Sequence, residues 1–132
     1  MPDAPKRILV IDDEPDAVKG TAAVLEAGGY AVASARDGEA GLAAARKLQP
    51  DLILLDVQMP GKNGFEVFTE LRADPALRNV PVVFVTGIGE KTGIHLSASD
   101  VGGFLGDQPD ACVEKPVDPE LLLATVRKVF RT

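Results

Sequence analysis

Two short runs of consecutive apolar residues, Ile8–Ile11 and Leu52–Leu55, each lead directly into acidic side chains. Asp12 and Asp13 follow the first run, and Asp56 follows the second. Runs of this length without polar alternation are typical of strands that are covered on both faces of a sheet. Because parallel strands end at the same edge of a sheet, we expect the three acids to lie close together. Such a group needs a cation to offset its mutual repulsion.

Five apolar segments that predict strands alternate with patterns that predict helices. The predicted strands are Arg7–Ile11, Tyr30–Ala35, Leu52–Leu55, Val80–Val85 and Ala111–Glu114. The predicted helices are Pro15–Ala27, Gly38–Leu48, Gly64–Ala73 and a last helix that Asp118 caps and Pro119 begins. This alternation predicts one α/β domain, a doubly wound parallel sheet with right-handed crossovers and helices on both faces. Functional sites in such sheets form beyond the carboxyl ends of the strands.

Length and charge exclude several classes of protein. A chain of 132 residues predicts a single domain, over residues 6–131, behind a flexible lead at 1–5. The net charge of −6 disfavours direct binding to nucleic acid or to an anionic membrane surface. No apolar run approaches the roughly 20 residues that a membrane span needs. A single cysteine excludes an internal disulfide and favours the cytoplasm.

The acids at the strand ends suggest phosphoryl chemistry. A carboxylate can attack phosphorus and become an acyl phosphate. That reaction needs a divalent cation, and Mg²⁺ prefers the oxygen ligands that Asp12, Asp13 and Asp56 supply. Thr86 and Lys115, at two other strand ends, could bind the remaining phosphoryl oxygens with a hydroxyl and an ammonium.

Each of these residues also has a purely structural interpretation. Asp12 or Asp13 could cap the helix that follows, and Asp56 could stabilise a turn before Pro60 and Gly61. Thr86 could be a cap or turn hydroxyl, and Lys115 a solvated loop residue. The joint interpretation is stronger, because the five residues fall at the ends of four different predicted strands.

Four segments of the chain resemble the response regulator receiver family of two-component signalling. They are ILVIDDEP, LILLDVQMPGKNGFEV, VPVVFVTG and VEKPVDPELL, in the family's order and spanning about Arg7 to Phe130. The resemblance implies a flavodoxin-like sheet of order 2-1-3-4-5. It also implies a phosphorelay function: a sensor histidine kinase or a histidine phosphotransfer protein donates a phosphoryl group in a reaction that needs Mg²⁺, for which Mn²⁺ could substitute. The receiver would catalyse only its own phosphorylation and dephosphorylation, and is not otherwise an enzyme.

The resemblance also implies a role for each matching residue. Asp56 would be the phosphoacceptor, Asp13 a direct metal ligand and Asp12 a ligand acting through water. Gln58 would offer its backbone carbonyl to the metal. The other implied roles are phosphoryl contact for Thr86, a charge pair for Lys115, a cis peptide bond before Pro116 and a small residue beside the phosphoryl group at Gly87.

Two features depart from the family pattern. Cys112 stands where an aromatic switch residue is usual, so the usual coupling between hydroxyl and ring is in doubt. Residues 87–110 are longer than is common and contain six glycines. We predict a mobile loop and then a short helix that ends near Gly106, with His95 exposed in the loop. The fourth helix region is therefore expected to be atypical, and Gly87–Gly106 is the element that phosphorylation would bias through Thr86.

Three rival functions remain to be compared with this one. The glycines Gly87, Gly89 and Gly93 follow the fourth strand, whereas a dinucleotide site needs them after the first. An aspartate phosphatase would need a second acid where Gln58 stands. A receiver-like module that binds partners without being phosphorylated is the alternative that the altered switch position leaves open. The downstream partner could be a separate protein or an attached output domain.

Overall fold

A computed structural model describes residues 5–59, 61–86, 109–115 and 117–131. In this part of the chain, five strands alternate with four helices, numbered here in chain order. The strands are β1 (Arg7–Ile11), β2 (Ala31–Ala35), β3 (Leu52–Asp56), β4 (Val82–Thr86) and β5 (Ala111–Glu114). The helices are α1 (Pro15–Ala27), α2 (Gly38–Leu48), α3 (Gly64–Ala73) and α4 (Pro119–Arg131).

The five strands form one parallel sheet in the order β2-β1-β3-β4-β5, which confirms the predicted topology. Alternate residues of each strand face opposite sides, and each side is covered by two helices. Leu42 of α2 and Phe68 of α3 belong to one core cluster, together with Leu9, Leu55 and other strand residues. A second cluster on the opposite face combines strand residues with these helix residues of α1 and α4: Leu25, Leu122, Val126 and Val129. The sheet is therefore buried on both faces.

Side-chain caps explain where three helices begin. Asp37 accepts a hydrogen bond from the Ala40 N–H at 2.7 Å and caps α2. Asn63 and Glu66 form a reciprocal capping box at α3. Asp118 accepts from the Leu121 N–H at 2.9 Å, which confirms it as the cap of α4. These bonds satisfy amide donors that have no partner within the helix.

The boundaries of three strands differ from the prediction. The Tyr30 N–H donates to the Leu25 carbonyl at 3.1 Å, which closes α1 and delays β2 to Ala31. Val80 likewise donates to Leu77 at 3.0 Å in a turn, and β4 begins two residues later than predicted. Asp56 and Thr86 are not beyond the strands but are their last residues, because the backbone ladder continues to them.

Arg72 of α3 joins the segments that enter β4 and β5. Its guanidinium donates to the Arg78 and Val80 carbonyls at 3.0 and 2.8 Å, and lies 3.4 Å from the Asp110 carboxylate. Asp110 in turn accepts from the Val82 N–H and donates its own N–H to the Val82 carbonyl, both at 2.8 Å. The start of β5 is thus fastened to the start of β4.

Several predictions lie outside the described residues. They concern the first four residues of the lead, the loop and short helix over 87–106 with His95, and the roles of Gly87 and Pro116. Among the helices of the described ranges, none combines the length and the apolar character that crossing a bilayer requires.

Candidate functional site

The backbone brings the predicted site residues to one edge of the sheet. Just past three of the strands, backbone hydrogen bonds continue the parallel ladder: Asp12 N–H to Ala35 at 3.1 Å, Val57 N–H to Val85 at 3.0 Å and Lys115 N–H to Thr86 at 2.8 Å. Each residue that ends or follows a strand is therefore held as firmly as the strand itself. The carboxyl edge carries Asp12, Asp56, Thr86 and Lys115 on a rigid frame.

Three carboxylates meet at this edge. Asp12, Asp13 and Asp56 each offer an oxygen atom, and these atoms all lie within 4.8 Å of one another. Asp12 and Asp56 are only 5% and 2% exposed, while Asp13 is half-buried. Burial of two acids side by side is costly unless positive charge balances them.

Lys115 supplies one balancing charge. Its Nζ lies 3.3 Å from Asp12 Oδ2, 3.5 Å from Asp56 Oδ2 and 3.7 Å from Glu14 Oε1. Burial opposes the charged ammonium, but the attraction of Asp56, Asp12 and Glu14 outweighs it and raises the pKa of Lys115. One ammonium shared among three carboxylates leaves the site with a net negative charge.

The two oxygens of Asp56 have different surroundings. Oδ1 accepts a hydrogen bond from the Gln58 N–H at 3.2 Å, so the turn interpretation of Asp56 describes one of its oxygens. Oδ2 is buried and has no hydrogen-bond partner among the described residues. A buried acceptor without a donor is uncommon in a folded protein and indicates a place where a ligand or ion binds.

Burial and charge together disfavour ionisation of Asp56. Burial is the larger cause, and the neighbouring Asp12 carboxylate adds to it, so that the pKa of Asp56 rises to about 7. The Lys115 ammonium and the Gln58 N–H lower the pKa but do not compensate. An additional cation beside Asp56 would favour its charged, nucleophilic form.

The donor set fits a hard divalent cation. Three carboxylates within reach of one point, one of them with an unsatisfied oxygen, match the oxygen ligation that Mg²⁺ prefers. Asp12 is not the N-cap of α1, which is Glu14; instead, its Oδ1 accepts from the Glu14 N–H at 3.0 Å. Gln58 is exposed and lies two residues after Asp56, to which its N–H donates.

A cavity of about 240 Å³ opens between the site and α1. Asp12, Asp56 and Lys115 contribute to its lining, together with residues of α1 such as Ala17 and Thr21. The lining also includes apolar residues from the sheet and the segment before α4, namely Val10, Leu54, Val85 and Val117. Asp56 thus combines a largely apolar setting with two charged neighbours.

The loop after β3 approaches Asp56 through a glycine. A Cβ built on Gly64 would lie 2.4 Å from the Asp56 carbonyl oxygen and 2.7 Å from Val57 Cα. The Gly64 N–H donates to the Val57 carbonyl at 3.0 Å, so α3 begins directly against the end of β3. No role in the site was predicted for Gly64, although it lies within the segment LILLDVQMPGKNGFEV.

The structure locates the remaining described candidates as follows. Thr86 is 2% exposed and ends β4. Cys112 is partly buried, pairs in register with Phe84 and packs against the core cluster under α2 and α3. Glu14, which reaches Lys115, was not predicted. In the sequence, the only indication was that Glu14 follows the acidic residue Asp13. That indication does not distinguish a contact with Lys115 from a cap of α1.

Comparison with known proteins is consistent with this geometry. The family described as "Response regulator receiver domain" matches residues 8–127. The response regulator PleD of Caulobacter vibrioides is 41% identical over 129 residues, which cover 95% of this chain but 26% of PleD. Protein PilH of Pseudomonas aeruginosa is 36% identical, over 94% of this chain and 97% of PilH. The crystal structure of chemotaxis protein CheY4 of Vibrio cholerae superimposes with a TM-score of 0.81 at 30% identity, covering 96% of this chain and 99% of CheY4.

Proposed function

Because this chain belongs to the response regulator receiver domain family, we propose that Asp56 accepts a phosphoryl group in a Mg²⁺-dependent reaction. The donor is a phosphohistidine on a sensor histidine kinase or a histidine phosphotransfer protein. The result is a signalling switch, and its output is a change in a protein-interaction surface. We place this reaction in the cytoplasm, where such donors have access to the chain.

One observation carries the proposal. The Asp56 carboxylate is almost fully buried, yet it lies beside a second acid and a lysine and keeps one oxygen without a hydrogen-bond donor. A structural aspartate at a strand end has no need of this environment. A nucleophile whose charged form is favoured by a bound cation does need it.

The chemistry is a displacement at phosphorus. An oxygen of Asp56 forms a bond to phosphorus as the phosphorus–nitrogen bond of the donor breaks, and the electron pair of that bond stays on the imidazole nitrogen. Asp13, Asp56 and the Gln58 carbonyl would hold Mg²⁺ directly and Asp12 would hold it through water, and the ion would supply positive charge that offsets the charge of the transferring group. The Lys115 ammonium and the Thr86 hydroxyl bind phosphoryl oxygens in this proposal. Attack by water on the acyl phosphate then restores the free carboxylate.

Acetyl phosphate, a small donor, tests the proposal without knowledge of the partner. We expect an intact-mass gain of about 80 Da, the mass of one phosphoryl group, in the presence of MgCl₂. Peptide mapping should place the adduct on Asp56, and EDTA should prevent it. The alternative, a receiver-like module that only binds partners, predicts an unchanged mass under both conditions.

Lys115→Ala should separate phosphorylation from switching. The variant keeps the Asp56 nucleophile, so it should still gain the phosphoryl mass, but it loses the ammonium that would contact the phosphoryl group. Hydrogen exchange should therefore change with phosphorylation over residues 87–106 in the parent and change much less in the variant. A full parental change in Lys115→Ala would contradict the role proposed for this lysine.

The chain spans 26% of the length of PleD and 97% of that of PilH. Its relatives therefore include a much longer protein and one of similar length. We propose that its output passes either to a separate protein or to an attached output domain. In both cases, the phosphorylated state would act by binding its partner with a different affinity from the unphosphorylated state.

A further inference from the structure

The loop between β3 and α3 is fixed at both of its ends. At its start, the Val57 N–H bonds to Val85 and the Gln58 N–H bonds to Asp56 Oδ1. At its end, the Gly64 N–H closes back on Val57, and Asn63 takes part in the α3 capping box. The Gln58 carbonyl, for which a metal contact is proposed, belongs to this loop.

Lys62 is the charged residue in the middle of that path, and it binds two helices at once. Its Nζ lies 3.1 Å from Glu39 Oε1 in the first turn of α2, and it also pairs with Glu70 of α3. The Lys62 side chain is 21% exposed, so this ammonium is partly shielded by its surroundings. The two glutamates raise the pKa of Lys62 and keep it charged.

The backbone of Lys62 also contacts α2 directly. A Cβ built on Gly38 would lie 3.0 Å from both the Cβ and the carbonyl oxygen of Lys62, and 2.8 Å from Val67 Cγ2. The absence of a side chain at Gly38 therefore allows the first turn of α2 to rest on the loop. Side chain and backbone of Lys62 together hold the loop against α2 and α3.

We propose that Lys62 is a positioning residue for the cation site, because it holds the β3–α3 loop in the path that brings the Gln58 carbonyl to the metal. Without its ammonium, Glu39 and Glu70 lose their shared partner, and the loop is held less firmly against α2 and α3. The loop then gains freedom beside Asp56. This inference rests on the proposed function, since it assumes that the site binds Mg²⁺.

The direction in which the affinity for Mg²⁺ changes when Lys62 is removed distinguishes a positioning role from the effect of its charge alone. Removal of a positive charge near an acidic site would by itself favour the binding of a cation. Loss of positioning disfavours it, because the protein must then order the loop when the metal binds. A weaker affinity after removal of Lys62 is thus opposite to what its charge alone predicts.

The test is a calorimetric titration of the metal-free chain with MgCl₂. We expect Lys62→Met to raise the dissociation constant about tenfold, the lower end of the effect that loss of a residue supporting a metal ligand has. Lys62→Arg keeps the charge and should stay within about twofold of the parent. Lys62→Gln also removes the charge. It replaces Lys62→Met in the titration if Lys62→Met does not fold.

Arg46→Met is the matched control. Arg46 of α2 pairs with Asp74, at the end of α3, at 3.2 Å, so it also links these elements, and this ion pair involves no residue of the loop. Its removal should leave the affinity within about twofold of the parent, as is typical of an exposed ion pair. Hydrogen exchange of the Gly64 amide should accelerate in Lys62→Met and not in Arg46→Met.

The outcomes distinguish this inference from the proposed function. A parent chain that binds no Mg²⁺ would overturn the proposed function and the inference with it. A parent that binds Mg²⁺ beside a Lys62→Met variant that binds it equally well or more tightly would overturn the inference alone. Equal weakening by Lys62→Met and Arg46→Met would also overturn it, since a general loss of helix contact would then be sufficient.

Discussion

Asp56→Asn will fold, will take up no phosphoryl group from acetyl phosphate, and will be more stable than the parent in the absence of divalent cations. The amide cannot form the acyl phosphate, so the mass gain should fall to background. The same change removes a buried negative charge from beside Asp12, which explains the gain in stability. Phosphorylation of the variant at the parental rate would refute the assignment of the nucleophile.

The gain in stability should depend on pH in a defined direction. The pKa of Asp56 rises to about 7 in the folded chain, against a value near 3.9 in an unfolded chain. Between these values the folded state holds a proton that the unfolded state has lost, so the free energy of unfolding of the parent falls as pH rises. In EDTA, Asp56→Asn should match the parent near pH 4 and exceed it by about 2 kcal/mol at pH 8, roughly half of the full linkage value, because the open cavity screens the charge.

Asp74→Asn provides a control of opposite sign. A hydrogen bond from the Ala76 N–H, followed by the side chain of Arg46, lowers the pKa of Asp74. This carboxylate therefore contributes stability above its unfolded pKa, and its removal should lower the free energy of unfolding at pH 8. Equal stabilisation by both variants would indicate a general effect of net charge and would contradict the role of the buried site.

Gly64→Ala should destabilise the chain by about 3 kcal/mol, as overpacking against rigid groups does. The added Cβ would lie 2.4 Å from the Asp56 carbonyl oxygen and 2.7 Å from Val57 Cα. Both contacts are with backbone, so the end of β3 or the start of α3 must move. Because this movement displaces Asp56, labelling by acetyl phosphate should also slow about tenfold or more. Chemical unfolding and intact-mass time courses measure the two effects.

Gly20→Ala is the matched change at a position with room. Gly20 lies inside α1, and a Cβ there would meet nothing within 4 Å. The substitution should stabilise the chain by about 1 kcal/mol through helix propensity and leave labelling unchanged. A Gly64→Ala variant as stable as the parent would show that the contact between α3 and β3 relaxes without cost.

Most of the fold could be predicted because local patterns and tertiary structure agree. The predicted bounds of β1, β5 and the first three helices equal the observed ones, since apolar runs, caps and terminal glycines coincide there. The errors in the strand bounds occurred where the type of side chain predicts one backbone structure and the backbone hydrogen bonds form another. Thr86 is polar but pairs with Glu114 as strand, and Tyr30 is apolar and aromatic but bonds back to α1.

The residues that form the site could be predicted from the ends of the strands, but the ion pairs among them could not. Asp12 and Asp56 lie close together because β1 and β3 are parallel neighbours in the sheet. The ion pair of Lys115 with Glu14, and the bridge from Lys62 to two helices, depend on side-chain directions across elements that are distant in sequence. The metal, phosphoryl and switch roles of these residues stay predictions for the experiments above.

The attachment of β5 at both ends has an evolutionary consequence. Asp110 fastens its start to Val82 and Arg72, and the Lys115 N–H fastens its end to Thr86, all through residues that the structure describes. Lengthening a connection costs little entropy, about 0.6 kcal/mol for each doubling. Insertions and substitutions in that connection are therefore compatible with an unchanged arrangement of Asp12, Asp56, Thr86 and Lys115.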